Sequence, residues 1–367
     1  MKIAIMAPLV SPIREPQRGG SQAFVADLAL GLTGRGHDVH VYAATGSAIP
    51  GVTVIDTGIE PETLAGTLYR AFEPAGAGPA SALTTAAAFA AAYASLRQTP
   101  YDVIHNHAFD APAVRLATEL PAPVVHTLHL PPDKAVTAAL REAARSTRPP
   151  TVATVSAFQA RAWREVVDVD AVLLPCVPTG AIPWSPAAGQ GAVFAGRLSP
   201  EKGVAEAVGI AAAAGLPLDI YGDAYDTGYA RETIGPLATR PRVTVHPAVP
   251  RASLWEAMAR AATVLYPAMW DEPFGMVAAE AQACGTPVVA FRRGGLSEVI
   301  AEGTTGFLVP PGDVGAAAAA VGRVADISRR ACRAHAETRL DLDQSLDAHE
   351  HLYQRIVAAD IGEAAGG

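Results

Sequence analysis

Several things are scarce in this chain, and each scarcity closes off a class of function. Cysteine occurs three times in 367 residues, at Cys176, Cys284 and Cys332. An odd number of widely separated thiols, in no metal-ligand spacing, builds neither a disulfide framework nor a cysteine zinc site. It reads as buried or free thiols in a reducing cytoplasm. Basic residues are outnumbered, 28 against 36 acidic ones, for a net charge of -8. The chain therefore lacks the basic face that general binding to nucleic acid or to an acidic membrane requires. Only three of the basic residues are lysines, Lys2, Lys134 and Lys202, a skew that, with the abundant alanine, reads as genomic base composition. No apolar run of about 18 residues is free of Gly, Pro or charge, so no membrane span is expected. The opening MKIAIMAPLV is short, carries one lysine and has no small-residue cleavage site before Pro12. It reads as a first buried strand rather than a signal peptide, and the expected location is cytoplasmic. No internal repeat of about 20–50 residues is present.

What the chain does have is apolar substance and a regular alternation. Half its residues are hydrophobic, and its length is comfortable for two cores, since domains cluster near roughly 100–150 residues. Strands are expected at Lys2–Ala7, Asp38–Ala43, Val103–His105, Val124–Leu128 and Val152–Ser156, with a helix at Ser21–Gly34. From Gly191 the alternation restarts, with strands at Val193–Ala195, Leu218–Tyr221, Val243–His246, Val264–Pro267 and Pro287–Phe291. Strands alternating with helical segments mean a parallel sheet covered on both faces, and two such runs mean two doubly wound α/β domains. Domain boundaries are expected at 1–178 and 190–345, separated by the Pro- and Gly-rich stretch Pro175–Gly191. A terminal helix near Leu346–Ala358 is expected to pack back on the N-terminal domain. Pro74–Ala82 reads as a surface loop and Thr84–Ala94 as a helix. In such sheets ligands bind beyond the carboxyl ends of the strands, which with two domains puts the site in the cleft between them.

Four segments fall at such strand ends. Gly19 and Gly20 precede the first helix, where glycine lets backbone amides approach a phosphate closely. His105-Asn106-His107 ends a strand, whose alternation is expected to bury one histidine and expose the other. With His126 and His129 these histidines invite a zinc site, but their spacing matches none. Arg197 and Lys202 stand five apart on the loop after the strand at Val193, suited to neutralising a diphosphate. Glu272 and Glu280 stand eight apart around Pro273-Phe274-Gly275, which opens a helix whose N-terminus attracts anions. Two acids beside an anion site suit a ligand rich in hydroxyls that also carries phosphate, such as a nucleotide sugar. Asp168-Val169-Asp170 leads into a strand and reads as structural.

Taken together, FAGRLSPEKG at Phe194–Gly203, the E-x7-E segment, and GTPVVAFRRGGLSEVI with GFLVPPGD resemble the retaining glycosyltransferases of family 4. The resemblance implies the GT-B fold, two Rossmann-like domains facing across a cleft, the first binding acceptor and the second the nucleotide sugar. It implies that Glu272 meets the donor sugar, Glu280 the ribose, and Arg197 and Lys202 the diphosphate. It adds the backbone of Phe274, Gly275, Met276 and Val277 to the donor site, with Gly19, Gly20 and His107. It points also to Glu298, without a role. The donor base is expected to be uridine, the reaction a front-face transfer to a hydroxyl acceptor, with no cofactor and no metal required.

Two departures touch the acceptor side: Ser21-Gln22 where the family often has Ala-Glu, and Pro175-Cys176-Val177-Pro178 where it often has Pro-Asn-Gly-Val. Glu62–Arg97 holds only Arg70 and Arg97 as cations, too few for a strong lipid anchor. The cluster Lys134, Arg141, Arg145 and Arg148 leaves peripheral membrane contact open. A small-molecule or saccharide acceptor of secondary metabolism is therefore the expectation. The alternatives are a nucleotide-sugar epimerase of the same architecture or a glycolipid or cell-envelope glycosyltransferase.

Overall fold

A computed structural model describes residues 1–60, 79–187 and 189–366. Two parallel sheets form. The first contains β1 (Lys2–Met6), β2 (Asp38–Ala43), β3 (Thr53–Asp56), β4 (Val103–Asn106), β5 (Val124–Leu128), β6 (Thr151–Thr154) and β7 (Ala171–Val172). Its order is β3-β2-β1-β4-β5-β6-β7. The second contains β8 (Ala192–Ala195), β9 (Leu218–Tyr221), β10 (Val243–His246), β11 (Thr263–Tyr266), β12 (Val288–Phe291) and β13 (Gly306–Val309). Its order is β10-β9-β8-β11-β12-β13. Parallel neighbours need crossover connections, and the helices that make them cover both faces. The inner strands β4, β5, β8, β11 and β12 are accordingly buried along their whole length, whereas the edge strands β3 and β10 are partly exposed.

In each sheet the strand order reverses beside one strand. β1 lies between β2 and β4, and β8 lies between β9 and β11. Connections leave such a point in opposite directions, opening a crevice beyond the carboxyl ends of the two strands. In the second sheet the crevice is lined by the loop after β8, Gly196 to Lys202, and the loop after β11, Pro267 to Gly275. By the same rule the loop after β1 leads to Gly19 and Gly20 and the end of β4 carries His107, so the fold puts all four candidate segments at its two reversal points.

The chain forms two compact units. One comprises Met1–Arg14, Ser21–Leu174 and Ser345–Gly367; the other comprises Glu15–Gly20 and Pro175–Gln344. The expected first domain, 1–178, therefore gives up two pieces to the second unit. Pro175–Pro178 leaves because Val177 exchanges backbone bonds with Leu340 and Leu342, at 2.8 and 2.9 Å. Glu15–Gly20 leaves because Glu15 Oε2 accepts the Arg251 amide at 3.0 Å. The last helix, Leu342–Gly366, starts earlier and runs further than expected. On the first unit its Asp347 and Glu350 each pair with Arg35 at 2.6 Å, and Ser345 Oγ donates to the Leu174 carbonyl at 2.6 Å. Of the expected loop Pro74–Ala82, the part up to residue 78 lies outside the described residues, as does Arg70. From Pro79 the chain is helix, to Gln98, because proline is tolerated in a first helical turn where its missing N–H has no partner to lose.

The irregular stretch after Pro175 is held by two arginines of the helix Arg329–Arg339. Arg329 donates to the carbonyls of Ser185, Ala259 and Ala261 and to Thr286 Oγ1, all at 2.7–2.8 Å. Arg333 donates to the carbonyls of Thr179, Ile182 and Ala283 at 2.8–3.0 Å. A chain without regular structure cannot satisfy its own carbonyls, and a guanidinium with five donors can. Replacing Arg333 by Met takes the guanidinium from the buried Ile182 and Ala283 carbonyls, while that of Thr179 keeps the Ile182 amide, and should lower the apparent unfolding free energy by about 2 kcal/mol in a urea titration. A loss below about 0.5 kcal/mol would mean that this stretch is held by something else.

Candidate functional site

The loop after β8 reaches the loop after β11 backbone to backbone. Gly203, with φ 74°, closes the turn Pro200–Lys202, and a Cβ there would stand 1.9 Å from the Pro267 carbonyl oxygen. Met269 N–H donates to the Glu201 carbonyl at 2.9 Å beside it. This contact sets Lys202 against Glu272: Nζ lies 3.0 and 2.8 Å from the two carboxylate oxygens. The Trp270 indole N–H donates to Glu272 Oε2 at 2.7 Å, and its ring centroid is 5.0 Å from Lys202 Nζ. The Tyr266 hydroxyl also meets this carboxylate; burial first, then the Glu272 charge, pushes it well above its usual range. Glu272 is thus a buried acid fixed by ammonium, indole and phenol together. Arg197, on the same loop as Lys202, is paired with Glu201 at 2.8 Å, and Ser199 Oγ donates to the same Glu201 oxygen at 2.7 Å.

Beyond Glu272 the chain turns through Pro273, Phe274 and Gly275 into the helix Met276–Ala283. Gly275 is the residue before that helix and has no side chain with which to cap it, so the amides of Met276 and Val277 receive no side-chain cap. The turn itself is braced from behind by Gly294 and Gly295. Cβ atoms there would stand 2.2 Å from the Glu272 carbonyl and 2.6 Å from that of Pro273. The Gly295 amide donates to the Glu272 carbonyl at 2.7 Å. The glycine pair of GGLSEVI is therefore what lets the acid-bearing turn sit this deep. Glu298, further along that segment, is exposed.

Glu280 lies within the same helix, buried, and its Oε1 accepts from Arg251 Nε at 3.1 Å and from the Trp255 indole at 3.1 Å. The Arg251 guanidinium lies 4.8 Å from the Trp255 ring. Gly20 is packed at the start of the helix, where its Cβ position is 3.1 Å from Met276 Cγ. The second unit thus gathers Arg197, Lys202, Glu272, Phe274, Gly275, Met276, Val277, Glu280, Gly19 and Gly20. His107 belongs to the first unit. Sequence reading did not find Trp270, Tyr266, Glu201, Arg251 or Trp255. Trp270 carried a local signal, an indole two residues before the acid. Arg251 and Trp255 carried none, since they come from the helix after β10.

His105 and His107 do not divide between inside and outside; both are fully buried. Two residues apart, they share one side of the strand, and their ring centroids are 4.0 Å apart. His105 bonds Tyr353 OH at 2.6 Å and Thr127 Oγ1 at 2.7 Å, and His107 Nδ1 bonds His129 Nε2 at 2.8 Å. His107 Nε2 is buried without a partner. His126 bonds Asn106 at 2.8 Å, and the His349 ring donates to the Ser345 carbonyl at 2.6 Å. Asp170 accepts the Val152 amide at 2.7 Å and so serves the sheet. Among the described residues no group of three His, Cys, Asp or Glu is placed to share a metal ion, and no helix is long and apolar enough to cross a membrane.

Burial lowers all five of these histidines: His126 and His349 to about 4, His129 to about 3, His105 and His107 well below the usual value. Unfolded, each titrates near 6.5, so below that pH the unfolded chain binds protons that the folded chain refuses. Stability is whole above pH ~6.5 and falls with pH down towards ~4, by up to about 1.4 kcal/mol per pH unit for each histidine. Asp110, raised by burial to about 6, works in the opposite direction, one group against five. The melting temperature should therefore drop steeply between pH 6.5 and 5; an unchanged value would refute the neutral buried cluster.

The chain matches the family model described as Glycosyl transferases group 1 over residues 189–339 and that described as Glycosyltransferase Family 4 over residues 18–181. It is 32% identical to a D-inositol 3-phosphate glycosyltransferase of Xylanimonas cellulosilytica, across 90% of each chain. Its fold is similar to that of sucrose-phosphate synthase from Thermosynechococcus elongatus, with a TM-score of 0.78 at 19% identity, covering 98% of this chain and 100% of that one. It is similar also to Anabaena Alr3699/HepE in complex with UDP-glucose, with a TM-score of 0.70 at 21% identity, covering 96% and 100%.

Proposed function

We propose, for a chain that belongs to glycosyltransferase family 4, that it moves a hexosyl group from a UDP-linked donor to a hydroxyl of a small-molecule or saccharide acceptor, with retention of configuration. The observation that carries this reading is the contact of Lys202 with Glu272 at the reversal point of the second sheet, 2.8 Å apart beside an uncapped helix start. Cation, acid and helix amides there match the three parts of a nucleotide sugar's reactive end. Lys202 and Arg197 neutralise the diphosphate, Glu272 accepts from sugar hydroxyls, and the Met276 and Val277 amides add positive dipole where leaving-group charge develops. Glu280 takes the ribose. Both cations rest on carboxylates, Glu201 and Glu272. The arriving diphosphate replaces those partners, and Glu272 passes to the sugar.

The departing phosphate accepts the proton of the acceptor hydroxyl as the new glycosidic bond forms on the same face. This needs no second carboxylate and no metal, because the charge is met by side chains already in place. UDP as the nucleotide is supported by the structural likeness to the Anabaena protein with UDP-glucose bound. A small polyol as acceptor is supported by the name of the Xylanimonas relative. Peripheral attachment to a membrane is disfavoured by the use made of the basic cluster. Arg141 donates to the Val166 carbonyl and Arg148 pairs with Asp360, each at 3.0 Å, which leaves fewer cations for lipid.

The test uses the protein with UDP-glucose and inositol phosphates or simple saccharides as acceptors. Arg197→Ala and Lys202→Ala should each lower kcat/KM by about 100-fold or more. Near-normal turnover in either would remove the diphosphate assignment. With donor alone the sugar should stay unchanged apart from slow hydrolysis; an isomerised donor would mean an epimerase.

A further inference from the structure

We infer that Trp270 is a positioning residue for Glu272: its indole N–H keeps the carboxylate aimed at the donor sugar once Lys202 has turned to the diphosphate. The inference rests on the donor reading above. Its starting point is an arrangement that occurs twice. Two of the chain's four tryptophans serve the two acids of the E-x7-E segment, each through the same three-part contact. At Glu272 the Trp270 indole donates to Oε2 at 2.7 Å, and Lys202 Nζ lies 2.8 Å from the same oxygen. That ammonium is 5.0 Å from the indole centroid. At Glu280 the Trp255 indole donates to Oε1 at 3.1 Å, and Arg251 Nε donates to the same oxygen at 3.1 Å. That guanidinium is 4.8 Å from the indole centroid. In both places one carboxylate oxygen takes a cation and an indole N–H, and the cation lies against the ring of the same indole.

The two clamps differ in the task of their cation. Lys202 is a point charge on a flexible stem, carried by the same loop as Arg197, and in the function proposed above it exchanges Glu272 for diphosphate oxygens. Arg251 is buried at the start of the helix after β10 and has no part in the diphosphate, so Glu280 keeps its cation when a donor binds. Of the two acids it is Glu272 that must change partners while staying in place. A buried carboxylate whose ammonium turns away is held by the donors that remain with it. The Trp270 N–H is suited to that task. It sits on a rigid planar ring, comes from two residues away on the same loop, and carries no net charge for a phosphate to draw off. A hydrogen bond from N–H to an ionised oxygen is short and directional, and this one fixes Oε2. Oε1, which Lys202 reaches at 3.0 Å, is then the oxygen that passes to a sugar hydroxyl. Tyr266 also meets this carboxylate, so loss of the indole N–H loosens the acid without unseating it.

Replacing each indole by phenylalanine keeps an aromatic ring against the cation and removes the N–H, and the two variants should leave different signatures in calorimetric titrations of the intact protein. Trp270→Phe should raise the Kd for UDP-glucose by roughly fivefold to tenfold, the scale of one hydrogen bond to a charged group felt through its neighbour. Its Kd for UDP should stay within about twofold, since UDP brings no sugar for Glu272 to meet. The KM for UDP-glucose should rise by the same factor as its Kd. Trp255→Phe should weaken UDP and UDP-glucose alike, because both carry the ribose given to Glu280. Equal losses for the two ligands in Trp270→Phe, or no loss for either, overturns the positioning role and leaves the donor reading standing. A sugar-selective loss in Trp255→Phe as well overturns it too, since the effect would then belong to the pocket as a whole. Wild-type protein that binds UDP but not UDP-glucose overturns the sugar contact of Glu272 and this inference with it. Wild-type protein that binds neither overturns the donor reading itself.

Discussion

The functional half of this molecule depends on one ion pair, Lys202 with Glu272. An acid as buried as Glu272 is tolerated only if its charge is met, and here ammonium, indole and phenol all meet it. To reach it, Lys202 needs a loop that touches the next one with no side chain between, which Gly203 provides. To stay in place, Glu272 needs its own peptide braced, which Gly294 and Gly295 provide. The loops after β8 and β11 are therefore positioned together or not at all. In the function proposed here the pair is also a reserve, since a diphosphate and a sugar engage separately the two charges that stabilise each other.

Much of the architecture was legible because strands show either buried runs or alternation of apolar and polar residues. Val124–Leu128 is buried throughout, Asp38–Ala43, Leu218–Tyr221 and Val243–His246 alternate, and all four form at the residues expected. β3 and β7 escape sequence reading because they are short and only partly buried, so neither alternation nor an apolar run marks them. β13, Gly306–Val309, is hidden for another reason: its apolar run lies inside the GFLVPPGD motif, whose chemistry draws attention from its strand character. The division between units is harder to read. It follows single hydrogen bonds, such as that between Glu15 and Arg251, which leave no trace in local sequence.

The site divides along the same line. Arg197, Lys202, Glu272 and Glu280 could be named because each sits in a local pattern of glycine, proline and charge. What holds them could not. Trp255 and Arg251 reach Glu280 from the helix after β10, and Tyr266 reaches Glu272 from inside a strand whose residues look like core. The histidines failed for a different reason. Periodicity places His105 and His107 on one side, and only the covering helix, with Tyr353 and His349, decides that this side is interior.

The scarcity of lysine acquires a chemical meaning once the chain is divided. Lys2 and Lys134 belong to the first unit, so Lys202 is the single ε-amine in the sequence of the second. It is held in an ion pair beside an indole. An aldehyde- or ester-bearing nucleotide analogue that docks there meets one amine and no competitor on that unit. A skew that reads as base composition thus leaves the ion pair at the second sheet's reversal point with a unique covalent address.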